Sequence, residues 1–307
     1  MNGLYADTLE EGFVFDGKVL QEAIRKIYGK DFNTLTDIER GLWNEFWKAF
    51  NEATDTGFHK RSPFQDDYAF YRELRYNNAV FAAFKAHRFQ NDIASQLLDE
   101  DGQLKPFDIF KRDVEKFVSP LHLESWLQTE YATAVIRAHQ ASDWRRFERD
   151  KDILPRLRWV ESTSVHPGED HRVFWGIIRS IDDPFWSAHR PGDRWNCKCS
   201  LEATDEEETD IPDTGNLYAP APGLENNPGK DAKLFSDTHP YIQNAYKGAK
   251  EAVRKFISKE TVGQGRNLKE DVKRQRQEIK SWAVGNLVGK TVMAPGSVSY
   301  THLTLPT

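Results

Sequence analysis

The chain has 307 residues, a formal net charge of -6, and 29% charged against 38% hydrophobic residues. That length suits one or two domains with a sizeable core, and 12% aromatics with nine tryptophans exclude a disordered chain. The modest acidic balance gives no global reason to expect DNA contact, though a local basic patch remains open, and no apolar run is long enough for a membrane span.

The start, "MNGLYADTLEEGFVF", is acidic and lacks the basic and apolar regions of a signal peptide. Two cysteines make no disulfide framework, so a reducing, intracellular setting is the simpler expectation. The first half then reads as helical. Residues 19–28 place Val19, Leu20, Ala23, Ile24 and Ile27 on one face. Residues 36–53 open with Thr36 as the expected N-cap and Glu39 three residues on, as in a capping box. Leu42, Phe46, Ala49 and Phe50 give their apolar stripe. Residues 66–99 predict one long helix or two, marked by Tyr71, Leu74, Phe81, Phe84 and Ile93. "DEDGQLKP" (99–106) is a loop, and Phe107, Phe110, Val114 and Phe117 mark a short helix that Pro120 interrupts. The clearest helix is 122–149, with Leu127, Tyr131, Ala134, Ala138 and Ala141 on one face, small enough for another helix to come close.

The texture changes at Pro155. "LRWVES" predicts a strand, and up to residue 203 the chain is dense in Trp, His, Pro and Gly. Residues 205–233, acidic and then rich in Pro, Gly and Asn, read as a linker. A helix is expected at 239–259, with Ile242, Ala245, Tyr246, Ala249, Val253, Phe256 and Ile257 inward, and a very charged one at 266–287. The fold class expected is therefore α+β. A mainly helical region (1–150) leads into a compact α+β module with long ordered loops (151–204). A linker (205–233) and a C-terminal helical segment (234–297) follow. "VSYTHLTLPT" (298–307) has no charged side chain and reads as the translation of a sequencing adapter; on that reading the natural C-terminus is missing and 234–297 is truncated.

Residues 156–201 concentrate three of the nine histidines, four of the nine tryptophans and both cysteines. Cys197 and Cys199 lie in "RPGDRWNCKCSLE" (190–202), and four readings of them stay open. A zinc site would use Cys197 and Cys199 with His171 and His189, or with His166 or Asp170, although the spacing matches no strong zinc signature. A catalytic thiol would need a histidine base. A disulfide across one intervening residue would close a small, strained ring. A packed loop would use both cysteines as small apolar residues, Trp195 as an anchor and Asn196 as a turn. Ser162, Ser164, His166 and Asp170 would suit a hydrolase, but no G-x-S-x-G elbow accompanies them.

An ordered series of motifs resembles the phage Mu F-type head morphogenesis family of minor head, portal-associated proteins. It runs through "VFAAFKAH", "WLQTEYATAVIRAHQASDW", "LRWVESTS", "HRVFWGII", "DDPFW" and "RPGDRWNCKCSL", over about residues 65–205. Its positions here are Trp159, His171, Gly176, Asp183, Pro184, Phe185, Trp186, Pro191, Trp195, Cys197 and Cys199. Lys198 stands where the family usually has Arg, and His166 lies near another of its Arg positions. The resemblance implies a non-catalytic role with no catalytic residues and no cofactor beyond the candidate zinc. Its partners would be the portal protein and other head or scaffold proteins. Its location would be the host cytoplasm during assembly and then the capsid interior, with no membrane. Some relatives carry a C-terminal toxin-like nuclease or ADP-ribosyltransferase. "QEIKSWAVGNLVGKTV" (277–292) is similar to the entry of such a nuclease, the alternative being a charged, solvated helix.

Overall fold

A computed structural model describes residues 13–29, 31–63, 65–118, 120–164, 169–215 and 218–260, with 277, 292–293 and 299–300. Residues 1–254 form one unit and 255–307 another. In the second, 255–260 are helical and Val292–Met293 pairs antiparallel with Ser299–Tyr300. The expected helix 266–287 apart from residue 277, and the adapter-like end apart from 299–300, lie outside the described residues.

The first unit begins with α1 (Gly17–Tyr28), capped by the Asp16 carboxylate on the Lys18 amide. Leu20, Ala23, Ile24 and Ile27 are its buried stripe. Helix α2 (Arg40–Thr54) starts later than the capping-box reading places it. Glu39, not Thr36, is the N-cap, and its carboxylate accepts the Leu42 amide at 2.8 Å. Thr36 instead sits in a turn, its amide on Asn33 O.

Residues 68–94 form one helix, α3 (Tyr68–Ala94), buried on several sides. Helix α4 (Phe107–Phe117) follows the 99–106 loop, and α5 (Pro120–Asp150) takes Pro120 as its first residue, where a missing N–H matters least. The alanine face of α5 meets a π-helical turn, Asp55–His59. A Cβ on Gly57 would come 2.3 Å from Val135 O and 2.6 Å from the Ala138 Cβ, so only glycine permits this approach.

After α5 the chain builds a three-stranded antiparallel sheet in the order β2 (Ile178–Ser180), β1 (Arg156–Val160), β3 (Ser200–Thr204). Arg156 pairs with Ser180 on one side of β1 and Thr204 on the other. The period of two sends Leu157 and Trp159 inward. Arg156 and Arg158 point out and meet the acidic run after β3: Arg156 donates to Asp205 O and Glu206 O, and Arg158 pairs with Glu206. The inner face packs on Trp144, Phe147, Phe174, Ile177, Phe185 and Trp186, the last two from α6 (Phe185–Ala188). An α+β architecture results.

The last third of the segment expected as a linker is packed. Leu224, Pro228, Gly229 and Ala232 are buried, and α7 (Pro228–Asp231) sits so close to α5 that a Cβ on Gly229 would come 2.4 Å from the Trp144 Cβ. Its prolines and glycines serve tight turns rather than reach. The helix expected at 239–259 is two pieces. The short α8 (Pro240–Gln243) ends at Asn244, Gly248 takes a φ of 88°, and residues 249–260 resume the helix with Ala249, Val253 and Ile257 buried.

Candidate functional site

The Pro191–Gly192 turn and the residues after it place both thiols. Gly192 has a φ of 82° and lies against the Gln140 side chain of α5. Asn196 is left-handed at 56°, a conformation asparagine tolerates, and its amide donates to Thr133 Oγ1 at 3.1 Å. Trp195 turns outward here and stacks on Phe235 at 6.0 Å. Cys197 and Cys199 therefore face the same way, into the space behind β1. Both are free and buried.

His171 reaches them from the 3-10 turn Glu169–Phe174. Its Nδ1 lies 3.1 Å from Cys197 Sγ and 3.8 Å from Cys199 Sγ, and its Nε2 lies 2.8 Å from Asp193 Oδ1. Trp159 closes one side with its ring edge-on at 5.1 Å. Burial alone would lower the His171 pKa, but hydrogen bonds to Asp193 and Cys199 raise it to about 9. The Cys197 hydrogen bond and His171 pull Cys199 down to about 5, against burial. Cys197 is pushed up, by the bond it gives Cys199 and by burial. Hydrogen bonding thus works against burial at both His171 and Cys199. Among the described residues, His171, Cys197 and Cys199 are the His, Cys, Asp and Glu side chains whose ligand atoms all lie within 4.8 Å of one another.

His189 is not in this group. Its ring lies on Phe174 at 4.6 Å, and burial lowers its pKa. His166, and the side chain of Asp170, lie outside the described residues. Trp159, Phe185 and Trp186 are core, with the Trp186 indole N–H on Ser180 O at 2.8 Å. Asp183 caps Phe185 and pairs with Arg179; Pro184 leads into α6. Gly176 has a φ of 80° where its amide meets Trp159 O. Pro191 is buried in the turn.

Asp193 is the member that sequence reasoning does not single out. Its signal was position alone, in the turn four residues before Cys197. Arg190 and Arg137 were also missed. Arg137 is fully buried and donates to Leu234 O, Gly192 O, Leu224 O and Asn226 O, so it ties α5 to the thiol loop and to 224–234. Burial and the neighbouring Arg190 lower its pKa to about 9.

Residues 108–202, which hold α5, the sheet up to its last strand, and the whole Cys/His/Asp group, match the family model described as Phage Mu protein F like protein. The chain carries a Mu F-like region. Two curated relatives align with part of the chain. The "Mu-like prophage FluMu F protein" of Haemophilus influenzae (strain ATCC 51907 / DSM 11121 / KW20 / Rd) is 30% identical over 80 residues, 26% of this chain and 19% of the relative. The "Putative capsid assembly protein F" of Escherichia phage Mu is 26% identical over 77 residues, 25% of this chain and 18% of the relative. The chain thus spans about a fifth of the length of the curated relatives it matches. No solved structure matches it. The Mu F-like region is narrower than the stretch over which the motifs were read: "VFAAFKAH" (80–87) falls outside it.

Proposed function

We propose that this protein acts in phage head assembly as a non-catalytic minor head component, and that it works at the portal vertex beside portal and scaffold proteins. The observation that carries this reading is the Mu F-like match over 108–202, together with the relative named "Putative capsid assembly protein F". The burial of the candidate chemistry supports the non-catalytic part. Cys199 is 2% exposed, Cys197 9% and Asp193 0%, so the Cys–His–Asp arrangement offers no thiol to a substrate. No helix among the described residues is long and apolar enough to cross a membrane. The sites of action would be the host cytoplasm and then the capsid interior.

The test is to co-express the full chain with the portal and major capsid proteins of the same phage and to sediment the proheads. The chain should travel with proheads when portal is present and be depleted when portal is omitted. Absence from proheads in both cases would sink the head-assembly reading; equal amounts in both would sink the portal-vertex reading.

A further inference from the structure

We propose that Cys197, Cys199 and His171 hold a structural zinc ion, with Asp193 fixing the imidazole that binds it. The distances around His171 carry this without the head-assembly reading. Zinc bonds of about 2.3 Å to sulfur and about 2.0 Å to nitrogen, at a tetrahedral angle, put a ligating sulfur and nitrogen about 3.5 Å apart. The two sulfurs lie 3.1 and 3.8 Å from the same Nδ1, on either side of that value. All three ligand atoms fall within 4.8 Å of one another, so one ion can reach them together.

The far side of the ring fits as well. A histidine that binds a metal through one nitrogen typically donates its other N–H to a carboxylate, which fixes tautomer and orientation. Asp193 Oδ1 stands 2.8 Å from Nε2, so the proton belongs on Nε2 and the Nδ1 lone pair faces the sulfurs. Asp193 is itself held: its Oδ2 accepts the Arg190 amide at 3.3 Å, and the Arg194 guanidinium lies 3.6 Å from Oδ1.

Charge and ligand type select the ion. Two thiolates neutralise a divalent cation, and two soft sulfurs with one imidazole favour zinc over the oxygen-seeking magnesium, calcium and manganese. Trp159 and Phe174 line the approach and keep the group dry. The three side chains fill three of the four tetrahedral positions. The ion would join the 3-10 turn to the thiol loop. It would supply a link that a small sheet does not.

The experiment uses the full chain without an affinity tag, purified from zinc-replete cells. Elemental analysis should give close to one zinc per chain, and replacement by cobalt should give the visible bands of a tetrahedral ion with near-ultraviolet sulfur-to-cobalt absorption. Cys197→Ser and Cys199→Ser should each lose the metal. Asp193→Asn keeps every ligand and should weaken zinc binding roughly 10- to 100-fold. If a serine variant fails to fold, chelation of the unaltered chain decides: its melting temperature should drop and return on adding zinc. Zinc well below one per chain, together with a melting temperature that chelator leaves unchanged, would overturn the proposal. So would cobalt spectra without sulfur character.

Discussion

Two buried polar groups in the first unit solve the same problem in opposite ways. In the helical region, Lys85 on α3 meets Glu130 on α5 at 2.6 Å, and Tyr241 of α8 bridges them, donating to Glu130 at 2.7 Å and accepting from Lys85 at 3.1 Å. These residues are far apart in sequence and brought together by long, rigid helices. Around the sheet, His171, Asp193, Cys197 and Cys199 come from two loops only 28 residues apart. There the side chains hold the backbone as much as the backbone holds them. The helical group should therefore respond to loss of charge balance, and the loop group to loss of any atom that fixes a turn.

Arg137 links the two regions and carries the largest expected effect. Its guanidinium serves carbonyls of the thiol loop and of 224–234. Arg137→Met would leave those buried acceptors unpaired, a loss on the order of 4 kcal/mol when each orphan carbonyl costs about 1–3 kcal/mol and some find water. Urea unfolding should show the midpoint collapse. A loss under about 1 kcal/mol would mean that the loops hold themselves.

The helical pair comes next. Lys85→Met alone leaves the Glu130 charge buried and should cost about 3 kcal/mol, and Glu130→Leu alone a similar amount. The double variant should cost clearly less than the sum, because the desolvation penalty of both ions disappears together. Simple additivity in the cycle would show that the pair is not coupled.

These two regions were not equally legible in the sequence. The thiol group could be located because cysteine is scarce here and both lie in one motif, with His171 in the motif just before. Lys85, Glu130 and Arg137 could not be found that way. Lysines, arginines and glutamates are numerous, and only the crossing of α3 and α5 makes these three buried. Periodicity located α1, α3 and α5, since their apolar spacing survives packing. It misplaced the start of α2, where Glu39 reached its own helix amides before Thr36 could act. It also joined α8 to 249–260, because Gly248 breaks the helix without disturbing the apolar spacing. Asp193 was hidden for a different reason: a carboxylate in a Pro-Gly turn looks like turn chemistry until the histidine above it is placed.

The loop region should break at its turn. Gly192 combines a positive φ with a Cβ position 2.0 Å from Gln140 Oε1, so Gly192→Ala should cost about 2 kcal/mol in strain and displaced packing. Gly102 has a similar φ of 74° but open space around its Cβ position, so Gly102→Ala should cost only about 1 kcal/mol. Equal losses at the two sites, measured by thermal melting, would show that backbone conformation alone matters and that the contact with α5 does not.

The smallest expected effect is a pH dependence, and it belongs to the helical side. His239 is buried beside the Lys85–Glu130–Tyr241 group, 4.5 Å from the Tyr241 ring, and caps α8 through Nδ1. Burial, with a contribution from Lys85 and against the pull of Glu130, lowers its pKa to about 4. Below its unfolded value near 6.5 the unfolded chain binds the proton and the folded chain does not. Its contribution is complete above pH 6.5 and is lost as pH falls toward 4, about 1 kcal/mol over the first full unit. His139, lowered to about 4 by burial and by His59, adds a second proton of the same sign. His239→Asn keeps a capping side chain and removes one of these titrations. Its stability should fall less steeply between pH 6.5 and 5 than that of the unaltered chain, by up to one proton in the slope. An unchanged slope would show that His239 is protonated in the folded state, and that the carboxylate of Glu130 outweighs burial there.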